Sequence, residues 1–246
     1  MNKAGKIFVV GLGPGDRAHM TLEAKAVIEK SDVIVGYKTY IDLIKDMIED
    51  KEVFSSGMKK EIERCTETLE IAKQGKVVSL VSSGDSGVYG MAGIMLEVVS
   101  KAESDIKVEI IPGVTASNAA AASLGAPIMH DYATISLSDL LTDWSLIEKR
   151  LHYAGQGDFV VCLYNPKSKG RQKQIEIARE ILLKYKKQDT IVGIVKNAKR
   201  DGETVVITTL KDMLKHEIDM FTTVIVGNSN TYLVNGKIIT PRGYKL

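Results

Sequence analysis

A chain of 246 residues, 44% hydrophobic and 26% charged, is long enough for one large or two ordinary globular domains. Its 33 basic and 31 acidic residues leave a net charge of +2, which gives no broad electrostatic case for a nucleic-acid or anionic-membrane partner. The two cysteines, Cys65 and Cys162, lie far apart and form no CxxC pair, so no metal or iron–sulfur cluster is expected.

In chain order, residues 6–10 (KIFVV) read as a buried parallel strand. Residues 21–30 are helical in pattern and 33–35 form a second strand. Residues 40–49 put Ile41, Ile44 and Ile48 on one helical face. Val53 and Phe54 are extended, and residues 59–74 carry an apolar stripe of Ile62, Cys65, Leu69 and Ala72 at helical spacing. A strand over 76–81, a helix over 88–99, a strand over 107–111 and a small-residue helix over 114–123 complete an alternation that predicts a parallel α/β sheet. The stretch 125–139, with Pro127 and His130, breaks this rhythm, so the domain boundary is expected there, giving domains 1–125 and 126–246. Beyond it come helices over 143–154 and 171–186 and strands over 159–164 and 190–195. The last part is rich in strands (204–208, 222–226, 237–239), with turns at Asp201–Gly202 and Asn235–Gly236 that predict a mixed sheet. The fold class is therefore two α/β domains with a cleft between them as the ligand site. The chain shows no secretory signal and no apolar run of membrane-spanning length, so a cytoplasmic protein is expected.

Three glycine-bearing loops follow strands of the first domain. Gly11-Leu12-Gly13-Pro14-Gly15-Asp16 suggests a dinucleotide fingerprint, but Asp16 occupies the place of its third glycine. An acid there opposes pyrophosphate, and Pro14 removes an amide. Ser82–Gly90 (SSGDSGVYG) and Pro112–Ser117 (PGVTAS) are the others. Glycine lets backbone approach a ligand closely, and loops at the carboxyl edge of one parallel sheet converge on a crevice. Asp85 could accept a hydrogen bond from the ammonium group of a ligand. Esterase, zinc-protease and P-loop motifs are all missing from the chain.

Taken in order, GLGPGD, SSGDSGVYG and PGVTASNAAAASLGAP resemble the tetrapyrrole methylases, the class III methyltransferases, over essentially the whole chain. The second half, with ISLSDLL (135–141), LYNPKSKGR (163–171), VKNAKRDGE (195–203), VGNSNT (226–231) and TPRGY (240–244), resembles the branch that methylates carbon 17 of precorrin-3B or cobalt-factor III with ring contraction. The resemblance implies S-adenosylmethionine as methyl donor, a tetrapyrrole as substrate and a homodimer. By position it assigns Gly84, Asp85, Ser86, Val88, Tyr89, Thr115, Ala116, Tyr164, Asn165, Ala198 and Gly227 to the donor. It assigns Gly13, Pro14, Gly15 and Arg17 to the rim of the macrocycle site. Lys38, Arg171 and Arg200 are further candidates for the macrocycle carboxylates. Asp85, His130, Asp131 and Ser138 are candidates for the proton movements of ring contraction. Alternatives within the fold are methylation at carbon 11 or 20 or of uroporphyrinogen III, a non-catalytic tetrapyrrole-binding module, and a diphthine synthase.

Overall fold

The computed structural model describes residues 5–15 and 17–245, and the chain divides into two compact units between Thr115 and Ala116.

The first unit holds a five-stranded sheet of β1 (Lys6–Gly11), β2 (Val33–Tyr37), β3 (Glu52–Ser56), β4 (Val77–Ser82) and β5 (Lys107–Ile111). The order is β3-β2-β4-β1-β5 and every neighbouring pair is parallel. Its apolar runs bury both faces. Phe8, Val10 and Ile34 pack with Ala24, Val27 and Ile28 of α1 (Leu22–Lys30) and with Ile41 of α2 (Lys38–Asp42). Ile7, Val9, Val33 and Val35 pack on the other face with Cys65, Leu69 and Ala72 of α3 (Glu61–Lys73) and Met95 of α4 (Ala92–Lys101). Successive strand residues alternate between these two cores, as the pleat requires. The helix expected over 40–49 is α2 followed by a 3-10 turn at Lys45–Met47, yet Ile41, Ile44 and Ile48 still share one core. The helix expected from residue 88 starts only at Ala92, because the glycine-rich stretch before it stays a loop.

The second unit opens with α5 (Ala116–Leu124) and β6 (Gly125–Ala126), then β7 (Tyr132–Ser136), α6 (Trp144–Gln156), β8 (Val160–Tyr164) and α7 (Gln174–Leu182). It closes with β9 (Ile191–Lys196), β10 (Thr204–Thr209), β11 (Thr222–Val226), β12 (Tyr232–Val234) and β13 (Lys237–Ile239). The five-stranded sheet runs β10-β9-β11-β8-β7. β7 and β8 are parallel, whereas β11 is antiparallel to both β8 and β9, and β10 to β9. Hence β7, β8 and β9 point one way and β10 and β11 the other. The α6 and α7 residues Ile147, Leu151, Ile175 and Ile181 cover one face. Ala120, Ala121 and Leu124 of α5 cover the other, against Cys162, Val195 and Ile225. That packing places α5 in the second unit, so the division falls ahead of the boundary expected at residue 125. The hairpin at Asn235–Gly236 forms, with φ of 48° and 72°, the left-handed pair a two-residue turn demands. Its strands β12 and β13 join β6 in a separate three-stranded sheet rather than extending the mixed one. Among the described residues no helix is long and apolar enough to cross a membrane, and no group of three or more His, Cys, Asp or Glu residues could hold a metal ion.

Candidate active site

The strands β4, β1 and β5 are neighbours, so the three glycine loops that leave them emerge side by side from the carboxyl edge of the first sheet. They are welded together by backbone. Leu12 N donates to Ser82 O at 2.8 Å, and Gly13 and Gly84 exchange a reciprocal pair of hydrogen bonds at 3.0 and 2.7 Å. Gly84 has φ of 69° and Gly13 of 74°, a region costly for any residue with a Cβ. A Cβ on Gly11 would lie 2.7 Å from Gly113 N and 2.8 Å from Gly84 O, and a Cβ on Gly113 would collide with Gly84 O and Gly11 O. The close approach of these three loops therefore depends on having no side chain at either position.

Asp85 completes the weld. Its Oδ1 accepts from Gly87 N (2.8 Å) and Val88 N (3.1 Å), and its Oδ2 accepts from Gly113 N (3.0 Å). Both carboxylate oxygens are thus engaged by main-chain amides of two loops. Asp85 thus fastens the second loop to the third. Ser86 is fully buried and donates to Ile111 O at 3.3 Å. Beyond this staple Val88 and Tyr89 are exposed, and Tyr89 is held at φ of 53°.

The first-loop candidates divide. Gly13 and Pro14 are buried and Gly15 is half-buried; Asp16 lies outside the described residues. Arg17 is exposed and its guanidinium meets the Asp46 carboxylate at 2.5 Å, which holds that carboxyl below the usual range. Lys38 is also exposed.

In the second unit the carboxyl ends of β7, β8 and β9 share one edge. Tyr164 and Asn165 leave β8 there. The Tyr164 hydroxyl accepts from Ser117 N at 2.7 Å and so caps the first turn of α5, next to Ala116. Asn165 takes φ of 50°, and its Nδ2 donates to Ser136 Oγ at the end of β7 (3.0 Å). Ser138 is on the same edge, its amide donating to Ser136 Oγ at 3.2 Å. Ala198 follows β9 between Asn197 and Lys199, both at positive φ, and is half-buried; Arg200 closes that turn on Asn197 O at 2.9 Å. Thr115 ends the first unit, and it too is half-buried.

The structure does not bring Gly227 to this edge. Gly227 follows β11, which runs against β8 and β9, and its amide donates to Ile191 O at the start of β9 (2.9 Å). Four residues of strand, about 13 Å, separate that end of β8 from Tyr164. His130 and Asp131 are also at the far end, where Val160 N donates to Asp131 O (3.2 Å). The exposed His130 accepts from Asp131 N through Nδ1 (2.7 Å). Together with Asp158, Asn228 and Asn230 these two residues line a shallow polar pocket. Within the second unit the candidates for proton transfer are thus split between two edges, Ser138 at one and His130 and Asp131 at the other.

One contributor lay outside the sequence expectation: Ser136 anchors Asn165, and nothing in a strand-end serine announces it. Arg171, a candidate for the macrocycle carboxylates, is only 7% exposed.

A family model described as tetrapyrrole (corrin/porphyrin) methylases matches residues 6–214. The chain is 52% identical to a Salmonella typhimurium protein named probable cobalt-factor III C(17)-methyltransferase, with 98% of this chain and 100% of that one aligned. It is 53% identical to the cobalt-factor III methyltransferase of Priestia megaterium, of which it spans only 45%. The crystal structure of the methyltransferase CobJ superposes with a TM-score of 0.92 at 36% identity, covering 96% of this chain and all of that one.

Proposed function

The chain belongs to the tetrapyrrole methylase family, and from that premise we propose that it methylates carbon 17 of cobalt-factor III, or of its metal-free counterpart precorrin-3B, with ring contraction to cobalt-precorrin-4 or precorrin-4. The observation that carries the reading is the weld of Gly11, Gly84, Gly113 and Asp85. Three loops that the family resemblance assigns to donor and macrocycle are joined through main-chain atoms at one sheet edge. The names of the two relatives favour the cobalt-containing macrocycle.

S-adenosylmethionine, when bound, supplies an electrophilic methyl group. The residues fit a sulfonium nucleoside: backbone amides and carbonyls with exposed Val88 and Tyr89 surround the weld, and its one carboxylate is already engaged. In this reading Gly84, Ser86, Val88, Tyr89 and Thr115 hold the methionine part, while Ala116, Tyr164, Asn165 and Ala198 hold the nucleoside. Gly13, Pro14 and Gly15 border the macrocycle. The chain's contribution is orientation and exclusion of water, which suffice for an in-line transfer between well-placed partners. Ser138 is the proton-handling candidate that shares an edge with Tyr164. A cytoplasmic homodimer completes the proposal, and light scattering of the purified protein measures the second half of it.

The test is turnover of labelled donor with purified cobalt-factor III and precorrin-3B, reading the methylated position by NMR. Label at carbon 17 of a contracted ring is the expected result. Label at carbon 11 or 20, or no binding of S-adenosylhomocysteine, rejects it.

A further inference from the structure

Arg171 occupies an unusual position for a long cation. It sits in the loop after β8, 7% exposed, and its Nη2 donates to the main-chain carbonyl of Asn165 at 2.8 Å. Its own backbone closes the loop on Ser168, through Ser168 N to Arg171 O (2.9 Å) and Arg171 N to Ser168 O (3.1 Å). Nε is buried without a hydrogen-bond partner. The acid whose field reaches it, Asp139, accepts from Gln174 Nε2 at 2.8 Å. Burial pushes the guanidinium pKa down and the field of Asp139 pushes it back up.

A cation buried with so few partners is costly, and such costs concentrate where geometry matters. Here the geometry is that of Asn165. Its φ of 50° is one that asparagine tolerates better than most residues but still does not favour. Two anchors hold it there, Ser136 on the side chain and Arg171 on the carbonyl. A charge-assisted bond to a carbonyl is about twice as strong as a neutral one, so Arg171 is the stronger of the two.

We infer that Arg171 is a positioning residue: it fixes the backbone of Asn165 beside Tyr164 and does not itself meet the macrocycle carboxylates. This rests on the donor assignment of Tyr164 and Asn165 made above.

The test uses the full-length Arg171→Gln and Arg171→Lys variants. S-adenosylhomocysteine affinity is read by calorimetry, KM for the tetrapyrrole by turnover, and amide exchange over residues 165–171 by mass spectrometry. Arg171→Gln is expected to weaken S-adenosylhomocysteine at least tenfold, to leave the tetrapyrrole KM within twofold, and to speed exchange in that loop alone. Arg171→Lys, which keeps the charge but loses the fork, is expected to show the same split at smaller size, and it carries the test if the glutamine variant does not fold. A raised tetrapyrrole KM with unchanged S-adenosylhomocysteine affinity overturns the inference, as does unchanged loop exchange. Failure of the wild-type protein to bind S-adenosylhomocysteine overturns the donor assignment instead, and the exchange measurement still judges Arg171.

Discussion

The carboxylate of Asp85 accepts the amide of Gly113 at 3.0 Å while its other oxygen holds Gly87 and Val88. Two loops that are 28 residues apart in sequence are therefore fastened through one side chain. Asp85→Asn keeps the shape but replaces one acceptor oxygen with an NH2 group that faces a backbone N–H. A hydrogen bond to a charged group contributes about 1.5–3 kcal/mol, so the variant should bind S-adenosylhomocysteine about 10- to 100-fold more weakly. Calorimetry decides it; wild-type affinity in Asp85→Asn would show that the staple does not shape the donor site.

Gly113→Ala attacks the same weld from the backbone. The added methyl meets the carbonyls of Gly84 and Gly11, neither of which is a flexible side-chain end. Overpacking of this kind costs about 1–3 kcal/mol. A lowered melting temperature together with lost S-adenosylhomocysteine binding is expected. A variant as stable as the wild type would mean that the loops part easily.

Much of the first unit was legible because a parallel sheet obeys one rule: all carboxyl ends lie at one edge. The apolar runs marked the strands, the glycines marked the loops after them, and the neighbouring positions of β4, β1 and β5 brought those loops together. The same rule does not carry over to the second unit. Gly227 follows a strand just as Ala198 does, but β11 runs against β9, and strand direction is not written in apolar periodicity. His130 and Asp131 were read as part of an irregular junction, whereas the chain enters β7 immediately after them, at the amino edge. The burial of Arg171 was equally hidden, since a loop arginine after lysines and a glycine reads as solvated.

The thiols give a pH prediction. Burial pushes both Cys65 and Cys162 from an ordinary value of 9.0 to about 12. For an acid whose folded pKa is raised, the unfolded chain loses its proton first, so stability is complete below pH 9 and falls as pH rises from there to about 12. Three pK units correspond to at most about 4 kcal/mol per thiol at the top of that window. Denaturant unfolding of Cys162→Ala between pH 9 and 11 should show a shallower alkaline loss than the wild type. Equal slopes would remove the thiol as the cause. Neither cysteine should react with a thiol reagent at pH 8 until the protein unfolds.

Thr240 of the TPRGY segment is fully buried, and its hydroxyl meets that of Thr231 at 2.8 Å. Thr231 in turn accepts from Asn228 N at 2.8 Å, so the pair braces the loop that begins at Gly227. That loop is at the amino edge of β8, away from Tyr164 and Ala198. Thr240→Val keeps the volume and removes the hydroxyl, leaving Thr231 one partner short; about 1 kcal/mol of stability should be lost. If the donor binds at the edge of Tyr164 and Asn165, its affinity should stay within twofold in this variant, although VGNSNT and TPRGY are among the segments by which the chain resembles its family. A tenfold loss of S-adenosylhomocysteine affinity without a matching loss of stability would return Gly227 to the donor site and break the assignment of the two edges to different tasks.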